Sequence, residues 1–421
     1  MSRFTNLSDW LNWQETLHPK QIDLGLERVT QVAHRLALLK PACGVISVAG
    51  TNGKGSSAAM LEAILLAAGY RTGCYSSPHL LHYNERIRIA GENIDDDSLC
   101  AAFAAVDQAR GTISLSYFEF GTLAALYLFA RSSLDICILE VGLGGRLDAV
   151  NVIDADAALV TAIDIDHRAW LGDDRETIGR EKAGIFRSRR PAVCSDSAPP
   201  ASVRAVAMQL DAHWYAPNDG FTWTQTGSDW SWASKHATHE HLPLPALPGA
   251  HQLQNAAGVL MVLETLARRY PVTRQAITRG LLATSLAGRC QVLPGPVETI
   301  LDVAHNPASA ATLVTFLESR DIPGRTRVVL GMLSDKDIAA FTATLAAVTD
   351  DWYLATPGGE RGLSARTLAA VLDSQDSGKG ARQFDSIEDA LGQARAEAVS
   401  TDRIVVCGSF ISVAEALASH V

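Results

Sequence analysis

Short uniform apolar runs and longer periodic ones alternate along the first part of the chain. Residues 44–49 (GVISVA), 136–141 (ICILEV) and 157–163 (AALVTAI) are almost wholly apolar over a strand's length, as strands covered on both faces of a parallel sheet are. Residues 57–69, 97–110 and 118–131 repeat their apolar positions at three- and four-residue spacing and predict helices. Residues 71–76 (RTGCYS) predict a short strand, and 85–89 (ERIRI) alternate as a strand does. Strands and helices taken in turn imply a doubly wound α/β domain.

Residues 195–248 change character, with Trp214, Trp223, Trp230 and Trp232 set among small and polar residues. They predict short antiparallel strands packed on the side of the first domain. Helices at 255–269 and 273–282 follow, and the strand–helix alternation restarts with strands at 299–303, 327–330, 352–355 and 403–407. The second series has its own core, so two α/β domains are expected, residues 1–288 and 289–421.

Composition narrows the class. The chain has 421 residues, too many for one ordinary core, and is 47% hydrophobic with a mean hydropathy near zero, as soluble globular proteins are. A formal net charge of −10 argues against general nucleic-acid binding, which depends on cationic side chains meeting phosphates. The seven cysteines are scattered and form no C-x-x-C pair, so neither a disulfide framework nor a zinc site is suggested. No secretory signal and no run of about twenty apolar residues occurs. A cytoplasmic protein is expected, with no membrane partner.

The candidate chemistry begins at Gly50-Thr51-Asn52-Gly53-Lys54-Gly55-Ser56, a glycine-rich turn between the first apolar strand and the first helix. Backbone N–H groups there can turn toward an anion, the helix N-terminus adds partial positive charge, and Lys54 adds a full one. Glycine follows the lysine where the common phosphate loop has a magnesium-binding hydroxyl, so a metal ligand has to come from elsewhere. Glu140 closes an apolar strand and leads into Gly142-Leu143-Gly144-Gly145-Arg146-Leu147-Asp148, where open α/β sheets bind ligands. His167 ends the polar cluster after the next strand, and Ser77 can supply the missing hydroxyl. Carboxylate and hydroxyl oxygens suit magnesium.

Gly50–Ser56 (GTNGKGS), Tyr75–Leu80 (YSSPHL), Glu140–Asp148 (EVGLGGRLD), Asp166–Gly172 (DHRAWLG), Lys182–Phe186 (KAGIF) and Asp302–Pro307 (DVAHNP) stand in order along nearly the whole chain. In these motifs the sequence resembles the folylpolyglutamate synthases of the Mur ligase superfamily, above all the bifunctional bacterial dihydrofolate synthase/folylpolyglutamate synthases. The resemblance implies a Mur-ligase-like P-loop ATPase domain with a small antiparallel β subregion, followed by a Rossmann-like α/β domain. It implies ATP and Mg2+ as cofactors, with a monovalent cation a further candidate, and dihydropteroate, reduced folates and L-glutamate as substrates of a monomer.

By the same resemblance, Thr51, Asn52, Gly53, Lys54, Gly55 and Ser56 hold the ATP phosphates, and Ser77, Glu140 and His167 hold magnesium. Asn255, Arg289 and Asp302 contact the nucleotide, while His305 and Ser409 lie near the γ-phosphate or the glutamate. Gln21, Ile22, Asp23 and Leu24, with Ser116, Tyr117, Phe118 and Glu119, and with Leu147 and Asp148, form the dihydropteroate site. Lys182 is expected to be carboxylated on its side-chain nitrogen. Two departures stand out: Val150 replaces a threonine of the pattern, and Arg168-Ala169 follow His167 where other residues are usual. The implied activity is ATP-dependent ligation of L-glutamate to dihydropteroate and to reduced folates through an acyl phosphate. Alternatives are polyglutamylation alone, another Mur-type amide ligation, or a nucleotide-gated binding protein.

Overall fold

A computed structural model describes residues 2–20, 22–375, 378 and 380–419. The chain forms two compact units: Met1–Ala246 with Leu253–Ser285, and Leu247–Gln252 with Leu286–Val421. Among the described residues no helix is long and apolar enough to cross a membrane.

The first unit is built on eleven strands: β1 (Gly44–Ala49), β2 (Thr72–Tyr75), β3 (Ile87–Ile89), β4 (Glu92–Asn93), β5 (Ile136–Glu140), β6 (Ala157–Val160), β7 (Pro191–Cys194), β8 (His213–Pro217), β9 (Gly220–Thr226), β10 (Asp229–Ser234) and β11 (Thr238–Pro243). They form one sheet in the order β11-β10-β9-β8-β7-β6-β1-β5-β2-β3-β4. β1 lies between β5 and β6, parallel to both, with Val48 beside Glu140 and Leu159. All six of its residues are buried, which is what its uniformly apolar sequence requires. Three features differ from the sequence expectation.

The tryptophan-rich segment forms the antiparallel strands expected, β9 to β11, but they continue the main sheet instead of packing on the side of the domain. β8 pairs in parallel with β7, and β9, β10 and β11 extend the same sheet to its edge. Trp230 and Trp232 are core residues whose indole N–H groups donate to the carbonyls of Pro243 and Ala257. The strand expected at 85–89 is cut to β3, because Glu85 and Arg86 lie in a 3-10 turn, Tyr83–Arg86. The Glu85 carboxylate accepts the N–H groups of Leu80, Leu81 and His82 and holds that turn. Finally, the first two helices, Leu7–Leu17 and Glu27–Arg35, have no counterpart in the sequence expectation. The first is capped by Asn6 and buries Trp10 against Phe103 and Phe120.

The second unit holds β12 (Gln291–Leu293), β13 (Glu298–Leu301), β14 (Thr326–Leu330), β15 (Asp351–Ala355), β16 (Arg382–Phe384) and β17 (Arg403–Cys407), ordered β12-β13-β17-β14-β15-β16. Every pair is parallel except β12 with β13. The fully buried β14 and β17 lie side by side at its centre, and Val328, Leu330 and Val405 join Phe341, Leu313 and Leu368 in its core.

Candidate active site

The phosphate loop leaves the C-terminal end of β1 and enters the helix Lys54–Ala67. That helix starts three residues before the expected 57 because Gly53 turns the chain at φ +89°, a conformation strained for any residue with a Cβ. A Cβ at Gly53 would also lie 2.5 Å from Oδ1 of Asn255, so the loop runs directly against this buried amide. Thr51 fixes the other side: its N–H donates to the Ala162 carbonyl, its hydroxyl donates to the Asp164 carbonyl, and it accepts the Asp164 N–H. The Thr161 hydroxyl donates to the Asn52 carbonyl at 2.7 Å. The loop therefore has a set shape before any anion arrives.

Two ammonium groups share this loop. Lys54 Nζ donates to the carbonyls of Gly50 and Thr51 at 3.0 and 3.1 Å, and Lys182 Nζ donates to Gly50 at 2.9 Å. Lys182 sits on the helix Arg175–Ala183 and is almost fully buried. Burial and the Lys54 charge bring its pKa down to about 7, against the opposing pull of Asp166 and Asp148. Gly145 makes the close approach possible, since a Cβ there would lie 2.7 Å from the carbonyls of Glu181 and Lys182.

Glu140 is buried at the end of β5, and its Oε2 accepts the Ser77 N–H at 3.3 Å. Ser77 and Glu140 thus share one corner, and His167 enters the short helix Arg168–Leu171 at φ +52°. Among the described residues no three His, Cys, Asp or Glu side chains gather as a preformed metal cage. Glu140 and Ser77 do offer the hard oxygens that magnesium takes.

Arg88, on β3, braces this corner. Its Nε donates to Glu62 Oε2 at 2.8 Å, and its two other nitrogens reach Ser76 Oγ, the Glu85 carbonyl and Cys74 Sγ. Glu62 lies on the phosphate-loop helix, so one part-buried guanidinium joins that helix to Ser76.

The dihydropteroate candidates are also in this unit. Gly25 donates its N–H to the Leu147 carbonyl at 3.2 Å, which ties the 22–25 segment to the glycine loop. Ser116 and Glu119 cap the helix Tyr117–Arg131 reciprocally. Phe118 packs on Tyr75, and Tyr117 on Tyr83. Asp148 is buried, with Leu143 N–H donating to one oxygen and Val150 N–H to the other; burial raises its pKa to about 6. It thus organises the loop from within. Val150 lies wholly inside the core, where a valine needs no partner, and Arg168 pairs with Asp173 at the surface. Gln21 lies outside the described residues.

In the second unit, Asp302 accepts the N–H groups of Cys290 and Ala304 and so shapes the turn after β13. The Arg289 guanidinium stands 5.1 Å over the Phe410 ring, and the His305 ring is 6.1 Å from the same phenyl. His305 Nδ1 lies 2.7 Å from the Val303 carbonyl. Ser409 is buried and caps the helix Phe410–Ala418, its hydroxyl 2.7 Å from that of Ser412. Sequence reasoning missed His251, whose pKa is lowered by burial and which sits in the fields of Asp302 and Arg289. It also missed Arg88 and Arg28; a basic residue among strand or helix apolar positions was the only signal.

Residues 48–263 match the Mur ligase middle domain, and residues 288–410 match the Mur ligase glutamate ligase domain. The chain is 47% identical over 411 residues to the dihydrofolate synthase/folylpolyglutamate synthase of Escherichia coli K12, covering 98% of this chain and 94% of that one. The chain belongs to the Mur ligase family. The Haemophilus influenzae dihydrofolate synthase/folylpolyglutamate synthase is 42% identical, covering 97% of this chain and 96% of that one. Among solved structures, Escherichia coli FolC in complex with DHPP and ADP superimposes with a TM-score of 0.92 at 46% identity, covering 98% of this chain and 97% of that one. A Yersinia pestis bifunctional folylpolyglutamate synthase/dihydrofolate synthase complexed with AMPPNP and Mn gives 0.92 at 49% identity, covering 99% and 98%. Within the Mur ligases the chain is thus an ATP-dependent carbon–nitrogen ligase of the dihydrofolate synthase/folylpolyglutamate synthase group.

Proposed function

We propose that this ligase adds L-glutamate both to dihydropteroate, making dihydrofolate, and to reduced folates, making polyglutamates. The observation that carries the dual activity is that the glycine loop after β5 runs against Gly25 through Leu147, against Phe118 at Gly142, and at Gly145 against Lys182, which reaches the phosphate loop at Gly50. The names of the relatives support it, as does the binding of DHPP and ADP by the Escherichia coli protein and of AMPPNP and Mn by the Yersinia pestis one.

An amide cannot form directly from a carboxylate, whose oxygen is a poor leaving group. The substrate carboxylate attacks the γ-phosphorus of ATP, ADP departs, and an acyl phosphate results. The glutamate amine then attacks the acyl carbon, and phosphate leaves. In this scheme the N–H groups of 51–56 cradle the phosphates, and Lys54 turns from the Gly50 and Thr51 carbonyls to meet the developing charge. Ser77, Glu140 and His167 would hold magnesium, which when bound neutralises phosphate oxygens. Asn255, Arg289 and Asp302 serve the nucleotide, and His305 the γ-phosphate or glutamate; Ser409 supports that end of its unit as a helix cap.

Lys182 is read as a carbamate in the active protein. Carbamate formation needs an unprotonated amine, and a pKa near 7 provides one at neutral pH. The carbamate would replace a cation beside the metal corner with hard oxygens. None of the seven thiols is in a disulfide, which suits a reducing compartment, and we read the protein as a cytoplasmic monomer.

Incubation with ATP, Mg2+, L-glutamate and either dihydropteroate or tetrahydrofolate, followed by mass analysis, tests the assignment. Dihydrofolate from the first and a ladder of glutamate adducts from the second are expected. Phosphate release without any amide product would refute ligation, and adducts on tetrahydrofolate alone would leave a polyglutamylase.

A further inference from the structure

Residues 22–24 have no regular secondary structure, and a segment of that kind can take many positions on a surface. Here one side chain fixes it. Arg28, in the first turn of the helix Glu27–Arg35, donates from Nη1 to Asp23 Oδ2 at 2.5 Å and from Nη2 to the Asp23 carbonyl at 2.9 Å. The same guanidinium turns its other edge to Glu119, with Nη2 3.1 Å from Oε1 and Nε 3.4 Å from Oε2. Glu119 is buried and accepts the Ser116 N–H at 2.8 Å. His18 adds a second tie, with Nε2 3.2 Å from Asp23 Oδ2 and Nδ1 2.6 Å from Ser114 Oγ.

We propose that Arg28 is a positioning residue for the dihydropteroate reaction, clasping the 22–25 segment to the head of the helix Tyr117–Arg131. The inference rests on the dual-activity assignment, in which those two segments bind dihydropteroate. Geometry demands arginine. A planar guanidinium offers donors on two edges and can satisfy a carboxylate and a carbonyl on one side and a second carboxylate on the other. A lysine ammonium has the charge but lacks the fork. Without the cation, the buried Glu119 loses its only guanidinium partner, and the segment keeps the Gly25–Leu147 hydrogen bond and the weaker His18 and Lys20 contacts to Asp23. The Asp23 carboxyl lies below its ordinary range: burial works against this, and the charge and hydrogen bonds of Arg28 outweigh it. The assignment places only dihydropteroate on these two segments, and the phosphate loop takes part in none of the clasp's contacts, so dihydropteroate use should depend on the clasp more than reduced-folate or ATP use does.

The test is steady-state kinetics of full-length Arg28→Met, Arg28→Lys and His18→Gln, with dihydropteroate and tetrahydrofolate as separate substrates at saturating ATP, Mg2+ and glutamate. Arg28→Met should raise KM for dihydropteroate at least about tenfold, an estimate for loss of a charge-assisted bidentate contact. KM for tetrahydrofolate and for ATP should stay within about twofold, and Arg28→Lys should recover only part of the loss. His18→Gln should shift the same KM in the same direction by less. Should Arg28→Met fail to fold by thermal unfolding, the two milder variants decide alone. Equal losses on both substrates, or an unchanged dihydropteroate KM in well-folded variants, would overturn the clasp. No turnover of dihydropteroate by the wild type would overturn the underlying assignment, and the clasp with it.

Discussion

Lys182 Nζ lies 2.9 Å from the Gly50 carbonyl oxygen, joining the helix Arg175–Ala183 to the first residue of the phosphate loop. A carbamate keeps one N–H on that nitrogen, so this hydrogen bond survives modification while the charge reverses. Lys182→Ala should lower kcat at least about a hundredfold, the scale set by losing one preorganised electrostatic group. Acetate should restore part of it. Protein prepared in labelled bicarbonate should show a carbamate carbon resonance that the alanine variant lacks; full activity in carbon-dioxide-free buffer would exclude the modification.

The unmodified amine also makes a stability prediction. Its folded-state pKa is about 7 against an ordinary 10.5. Between these values the unfolded chain binds the proton and the folded one does not, so stability rises with pH and is lost as pH falls toward 7. The slope contributed is up to one proton, about 1.4 kcal/mol per pH unit. Urea denaturation from pH 7 to 9.5 without carbon dioxide should show it, and Lys182→Met should flatten the profile.

Lys54→Ala separates chemistry from packing. Its ammonium is held by two loop carbonyls, so removing it should cost about 1 kcal/mol of stability. Turnover should fall at least about a hundredfold. A variant that ligates at the wild-type rate would show that the loop does not serve the phosphates.

In the Arg88–Glu62 pair the carboxylate is buried and the guanidinium part-buried. Arg88→Met should destabilise the protein by about 3–5 kcal/mol by stranding the Glu62 carboxylate, whereas the double variant Arg88→Met/Glu62→Leu should regain most of that. Chemical denaturation of the three proteins checks the order, and a double variant no more stable than the single would refute it.

Strands buried on both faces, such as β1, β5 and β17, were legible because an apolar run of strand length has few other uses. The phosphate loop was legible for a related reason, since glycines beside a lysine at a strand end have a narrow chemistry. What the sequence concealed was set by partners distant in the chain. β7, β12 and β16 are only three or four residues long, below the length at which periodicity speaks. The strand expected at Glu85 was lost to three N–H groups that its own carboxylate gathers. Asp148 and Ser409 illustrate the same limit in the candidate site: their positions were marked, but their hydrogen bonds to backbone and cap became visible only once the loops had folded.

The large sheet ends on two unlike borders, and both discourage strand addition by a stray chain. β4 is two residues long, exposed, and carries Glu92, so it offers almost no ladder to extend. β11 is longer, but its pairing with β10 slips between Trp230 and Trp232, it bears Glu240 with His239 and His241, and it closes on Pro243, which has no N–H to give. Concentrated solutions of this protein should therefore resist fibril nucleation from the native state until global unfolding exposes the inner strands.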